Sequence, residues 1–62
     1  MILHVPFPQG PDAIRNLLSW CDNNFGKIGY DWDVRPYSND LIEVELHNDD
    51  QSLATQFKLI WG

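Results

Sequence analysis

Gly10–Gly26, GPDAIRNLLSWCDNNFG, decides how the rest of the chain folds. Leu17, Leu18, Cys21 and Phe25 each fall within roughly 60° of Ile14 at ~100° per residue, which is the arc of an amphipathic helix. Pro11 suits a first helical position, because the N–H it lacks would have no partner there, and Asp12 complements the positive end of the helix dipole. Gly26 can take the left-handed backbone that stops a helix. Arg15, Asn16, Ser19, Asp22 and Asn23 make the wet face, and Trp20 flanks the apolar stripe. A single helix of this kind needs a sheet to cover.

Ahead of it, Ile2 to Phe7 reads as a short strand, with Leu3, Val5 and Phe7 on one face and Ile2, His4 and Pro6 on the other. Pro6 and Pro8 cannot donate to a ladder, so this strand lies at an edge or ends early. Behind the helix, Lys27, Ile28 and Gly29 make a tight connection to a strand from Tyr30 to Tyr37. Tyr30, Trp32 and Val34 face one way there, and Asp31, Asp33, Arg35 and Tyr37 the other. Pro36 again marks an edge or a strand end. Ser38, Asn39 and Asp40 are turn formers. Leu41 to His47 then alternates Ile42, Val44 and Leu46 with Glu43, Glu45 and His47, the pattern of one dry and one wet face. Strand, polar turn and strand predict an antiparallel hairpin.

Asn48, Asp49 and Asp50 read as the start of a second helix, in which Leu53, Phe57, Ile60 and Trp61 recur at i, i+4, i+7 and i+8. Phe57, Leu59 and Trp61 also alternate, so a strand from Gln56 to Trp61 is the competing reading. A right-handed crossover from the first strand to the second leaves room for the third between them. The expectation is one α+β domain over residues 1–62, in the order β-α-β-β-α. Its three-stranded sheet has order 1-3-2 and carries both helices on one face, as in a ferredoxin-like fold without its last strand.

Sixty-two residues bury only about 60 % of their unfolded surface. One cysteine forms no internal disulfide, so three tryptophans, three phenylalanines and two tyrosines must supply the core, or a second copy must. Nine acids against four bases give a formal charge of −5. That balance argues against nucleic acid and anionic membrane, and favours a protein partner, a basic one in particular. No apolar run approaches ~20 residues, and MILHVPF lacks the basic and long apolar regions of a signal peptide. The unpaired Cys21 suits a reducing cytosol.

The uncovered sheet face is expected to present Asp31, Asp33, Arg35, Tyr37, Glu43, Glu45 and His47, with His4 or Ile2 on the far strand. A related open face in RNA-binding domains carries stacking aromatics in a basic surround, whereas this one has carboxylates and a single ring, Tyr37. Glu43, Glu45 and His47, with Asp33 opposite, offer metal-ligand types, but residues two apart on a strand lie ~7 Å apart, so no shared ion and no cofactor is expected. Cys21 lies within the apolar stripe, where a thiol is a small hydrophobe, and no basic neighbour lowers its pKa. No triad spacing, nucleophile elbow or phosphate loop is present, and a chain this short does not easily enclose a pocket of about 300 Å³. No enzyme is expected, and no catalytic residue is assigned. Rows of Asp and Glu could mimic nucleic-acid phosphates, although a charge of −5 also simply serves solubility. Trp61, near a chain end that would otherwise fray, is expected to dock on the core or on another subunit.

WCDNNFG (Trp20 to Gly26) and FKLIWG (Phe57 to Gly62) together resemble a group of very short proteins encoded by tailed bacteriophages. Those share an aromatic helix with an Asn-Phe-Gly-like stop and a C-terminal Phe-Lys-Leu-x-Trp-Gly. The likeness covers about a fifth of the chain, and Ile60 stands where a basic residue is common in the group. It implies a phage gene product working in a bacterial cytoplasm or assembled in a virion; no active residue carries over. The functional expectation is a non-enzymatic binding module that docks on a host or phage protein through Asp33, Arg35, Tyr37, Glu43, Glu45, His47 and Trp61. The alternative is a structural, virion-associated or self-assembling subunit, dimerising through the sheet edge or the open face.

Overall fold

In a computed structural model describing residues 1–62, strand β1 (Ile2–Pro6) is followed by helix α1 (Ala13–Phe25), strands β2 (Trp32–Pro36) and β3 (Leu41–Leu46), and helix α2 (Gln51–Trp61). β3 lies between β1 and β2 and runs antiparallel to both, so the sheet order is 1-3-2. The register sets Leu3 beside Val44 and Val5 beside Ile42 on one side, and Trp32 beside Leu46 and Val34 beside Val44 on the other. Period-two alternation therefore gathers Val5, Trp32, Ile42, Val44 and Leu46 on one face, where Leu17, Cys21 and Phe25 of α1 and Ala54 and Phe57 of α2 complete a single core. This is the expected β-α-β-β-α arrangement, ferredoxin-like without a fourth strand.

Three local readings are corrected. α1 begins at Ala13, so Pro11 lies in the preceding turn rather than in the first helical turn. Asp12 takes the N-cap place, with its carbonyl accepting from Asn16 N at 2.9 Å and its side chain capping nothing. Gly26 does have positive φ, but at φ 114° and ψ −144° it lies outside the left-handed helical well, in a region open mainly to glycine. The chain then coils back on itself: Tyr30 N and Asp31 N both donate to the Lys27 carbonyl, at 3.1 and 2.8 Å. These bonds delay β2 to Trp32. Tyr30 is consequently 73 % exposed rather than on the dry face. The Asp31 carboxylate accepts from Lys27 N at 2.8 Å and so closes this loop instead of joining the open face.

α2 is helical throughout, and the strand alternative over Gln56 to Trp61 is not formed. Asp50 caps it by accepting from Leu53 N at 3.1 Å. Its inward arc differs from the one expected. Leu53, Ala54, Phe57 and Trp61 face the core, and Ile60 is exposed. At ~100° per residue Ala54 and Trp61 pull the centre of the arc away from Ile60, which is left on its rim. Trp20, on the flank of α1, bridges the two helices, its ring 5.4 Å from that of Phe25 and 5.8 Å from that of Phe57. Trp32 is buried, and its indole N–H donates to the Gly26 carbonyl at 2.9 Å.

Candidate functional site

The same alternation that buries Ile42, Val44 and Leu46 turns Glu43, Glu45 and His47 to the opposite, uncovered face. Register then decides their neighbours. His4, Glu43 and Arg35 form one row across the three strands, and Ile2, Glu45 and Asp33 form the next. Glu43, in the middle of its row, lies 3.0 Å from His4 Nε2 and also accepts from Arg35 Nη1. The second arm of Arg35 donates to Glu45 Oε1 at 2.9 Å. His47 Nε2 lies 2.8 Å from Asp33 Oδ2, and its Nδ1 2.7 Å from the Tyr30 carbonyl. Tyr37, just beyond β2, stacks on His4 with ring centroids 4.0 Å apart.

These pairings shift the titration of the groups involved. The hydrogen bond from His4, followed by that from Arg35, holds Glu43 below the usual carboxylate range. Bonds to Glu45 and then Glu43 raise Arg35 further. The Tyr30 carbonyl raises His47 most; desolvation, next in size, opposes it, and the Asp33 carboxylate adds to the rise.

The structure thus brings six of the seven expected site residues, Asp33, Arg35, Tyr37, Glu43, Glu45 and His47, onto one face, together with His4 and Ile2. Trp61 is not among them. It packs half-buried against the core from the last turn of α2, with its indole N–H enclosed and unpartnered. Charge matching on the face is what sequence reasoning missed. Each of the three carboxylates there has a cationic or imidazole partner on a neighbouring strand or two residues away across the ladder. The signal lay in register: once Pro36 faces Ile42, Arg35 must face Glu43. The Tyr30 carbonyl was also missed, because its role depends on a loop taken for strand.

A second surface lies between β1 and α2, an apolar groove lined by Met1, Leu3, Ala54 and Leu59, with Lys58 donating to the His4 carbonyl at 3.1 Å. Leu46 N to Met1 O and Phe7 N to Asp40 O mark the odd-numbered residues as those bonded to β3. The peptide groups of Ile2, His4 and Pro6 therefore point off the free edge of the sheet. Cys21 is fully buried, and that burial, with the charge of Asp22, pushes its thiol up to about 12. No helix is long and apolar enough to cross a membrane. Compared with known proteins, the chain is matched by no family model, no curated protein and no solved structure.

Proposed function

We propose that this chain is a non-enzymatic protein-binding module that docks through the open face of its sheet. The supporting observation is that this face is ordered in advance. Arg35, Glu43, Glu45, His4 and Tyr37 hold one another in place through hydrogen bonds and ring stacking before any partner arrives. Side chains already fixed lose less freedom on binding, which is a main cost of association. Tyr37, 57 % exposed, and Arg35 are the residue types that carry most energy in interfaces, and Ile2 adds an exposed apolar contact beside them. Arg35 balances only one of the three carboxylate charges there, so the face keeps a negative bias that the histidines remove on protonation. A basic partner fits that bias and the chain's charge of −5.

The resemblance to short phage proteins supports a host or phage protein as partner, in a bacterial cytoplasm or a virion. Co-purification from bacterial lysate at low salt, read by mass spectrometry, tests this. A partner should be retained by the parent chain and by Asp22→Lys, on the wet side of α1, and lost with Arg35→Glu and Tyr37→Ala. Equal recovery with all four chains would remove the open face from the reading.

A second reading, self-assembly, is favoured by the free edge of β1. The N–H groups of Ile2 and His4 point off this edge, and Leu59, 81 % exposed, lines the adjoining groove with Met1 and Leu3, a surface that an added strand would cover. Sedimentation showing a monomer at every concentration would exclude it.

A further inference from the structure

Asp33, Glu45 and His47 form a separate constellation on the open face. Each offers one ligand atom, and these atoms lie within 4.8 Å of one another. Spacing along one strand predicts ~7 Å between alternate residues, too far for a shared ion. Side-chain reach closes that gap, and the cross-strand pairing of Asp33 with Glu45 brings in the third group.

The hydrogen bonding of His47 adds a chemical constraint. The Tyr30 carbonyl can only accept, so the Nδ1 atom 2.7 Å from it carries the proton. In the neutral ring Nε2 then presents a lone pair, 2.8 Å from a carboxylate oxygen that is also an acceptor. Two lone pairs at that distance repel unless a positive centre lies between them. A proton satisfies this, and so does a metal ion. A backbone carbonyl that fixes the tautomer from behind is the support that metal-bound histidines generally have.

We propose that Asp33, Glu45 and His47 bind one divalent transition ion of the zinc class. His47 Nε2 and one oxygen from each carboxylate are the ligands, and the remaining positions open to solvent. One imidazole with two carboxylates suits zinc, cobalt or nickel, whereas magnesium and calcium favour oxygen alone. Ligands at ~2.0–2.2 Å from zinc lie about 3.3 Å from each other, so the widest pair must close by about 1.5 Å. Half-exposed side chains can make that movement. Arg35 occupies only Glu45 Oε1, which leaves Oε2 for the ion. Two carboxylates neutralise the ion's charge. The site does not depend on the docking reading, since it needs no partner.

Zinc chloride titrated into the chelator-treated chain at neutral pH, followed by calorimetry and by imidazole nitrogen NMR, tests the assignment. The expected result is one ion per chain, with the His47 Nε2 resonance displaced and Nδ1 still protonated. His47→Ala and Asp33→Asn should each weaken binding by at least about tenfold. Asp22→Asn, exposed on the wet side of α1 and outside the linked rows of the open face, should leave it unchanged, and magnesium chloride should produce no displacement. An undisturbed His47 ring in the parent chain at saturating zinc overturns the proposal whether or not the variants fold. Zinc binding retained by a folded His47→Ala chain overturns it as well.

Discussion

The thiol of Cys21 sits among the side chains of α1 and the sheet with no water to stabilise its anion, which is why it is pushed from the usual 9.0 up to about 12. Between those values the folded chain keeps a proton that the unfolded chain releases. The contribution of the protonated thiol is therefore complete below pH 9 and declines as pH rises toward 12. Cys21→Ala removes this dependence, so the stability gap between parent and variant, measured in urea, should narrow between neutral pH and about pH 11. Gly26 is a second residue whose chemistry is set by its surroundings. A Cβ there would run into the Asp31 carboxylate, and φ 114° with ψ −144° is a conformation that few other residues adopt. Gly26→Ala should cost about 1–3 kcal/mol in chemical denaturation. At this scale the sequence was partly legible. The alternation of Ile42, Val44 and Leu46 with Glu43, Glu45 and His47 told which side each would take. It did not tell that Arg35 and His4 would meet Glu43, because that depends on register between strands far apart in the chain.

Among the elements, α2 has the sharpest boundary, and its cause is one hydrogen bond, from Leu53 N to Asp50. Asp50→Ala should lower stability by about 1 kcal/mol, with the loss seen first as helix fraying in hydrogen exchange. Trp61 gives an opposite expectation. Its enclosed indole N–H has no partner, which offsets part of the gain from burying the ring. Trp61→Phe should leave stability within about 1 kcal/mol of the parent by circular dichroism in urea, while Trp61→Ala loses clearly more. Five elements and their order were readable because each has a strong period and the right punctuation. The Gly26–Asp31 loop was not, because Tyr30 and Asp31 continue the alternation of β2 without joining it. Backbone bonds to the Lys27 carbonyl outweigh the pattern there, and no side-chain sequence displays them. Ile60 misled for a related reason: periodicity locates an apolar arc but not which part of it touches the sheet.

Every element contributes to the one core, from Val5 of β1 to Phe57 of α2, so the molecule should unfold in a single step. Tryptophan fluorescence and circular dichroism are expected to give coincident transitions in urea. Phe57, fully buried against Trp20 and Phe25, is the position at which this unity is most exposed to loss. Phe57→Ala removes about 3–5 kcal/mol, comparable to the whole stability of a chain this short, and should abolish the transition. Phe57→Leu should retain it at lower urea. The charged rows of the open face carry a different consequence for the molecule as a lineage. Where Glu43 is shared by His4 and Arg35, and Arg35 is shared again by Glu45, replacing any one member strands the others. Divergence across that face would have to proceed by coupled exchanges, so in any set of descendants positions 4, 35, 43 and 45 should covary, while the exposed helix positions drift one at a time.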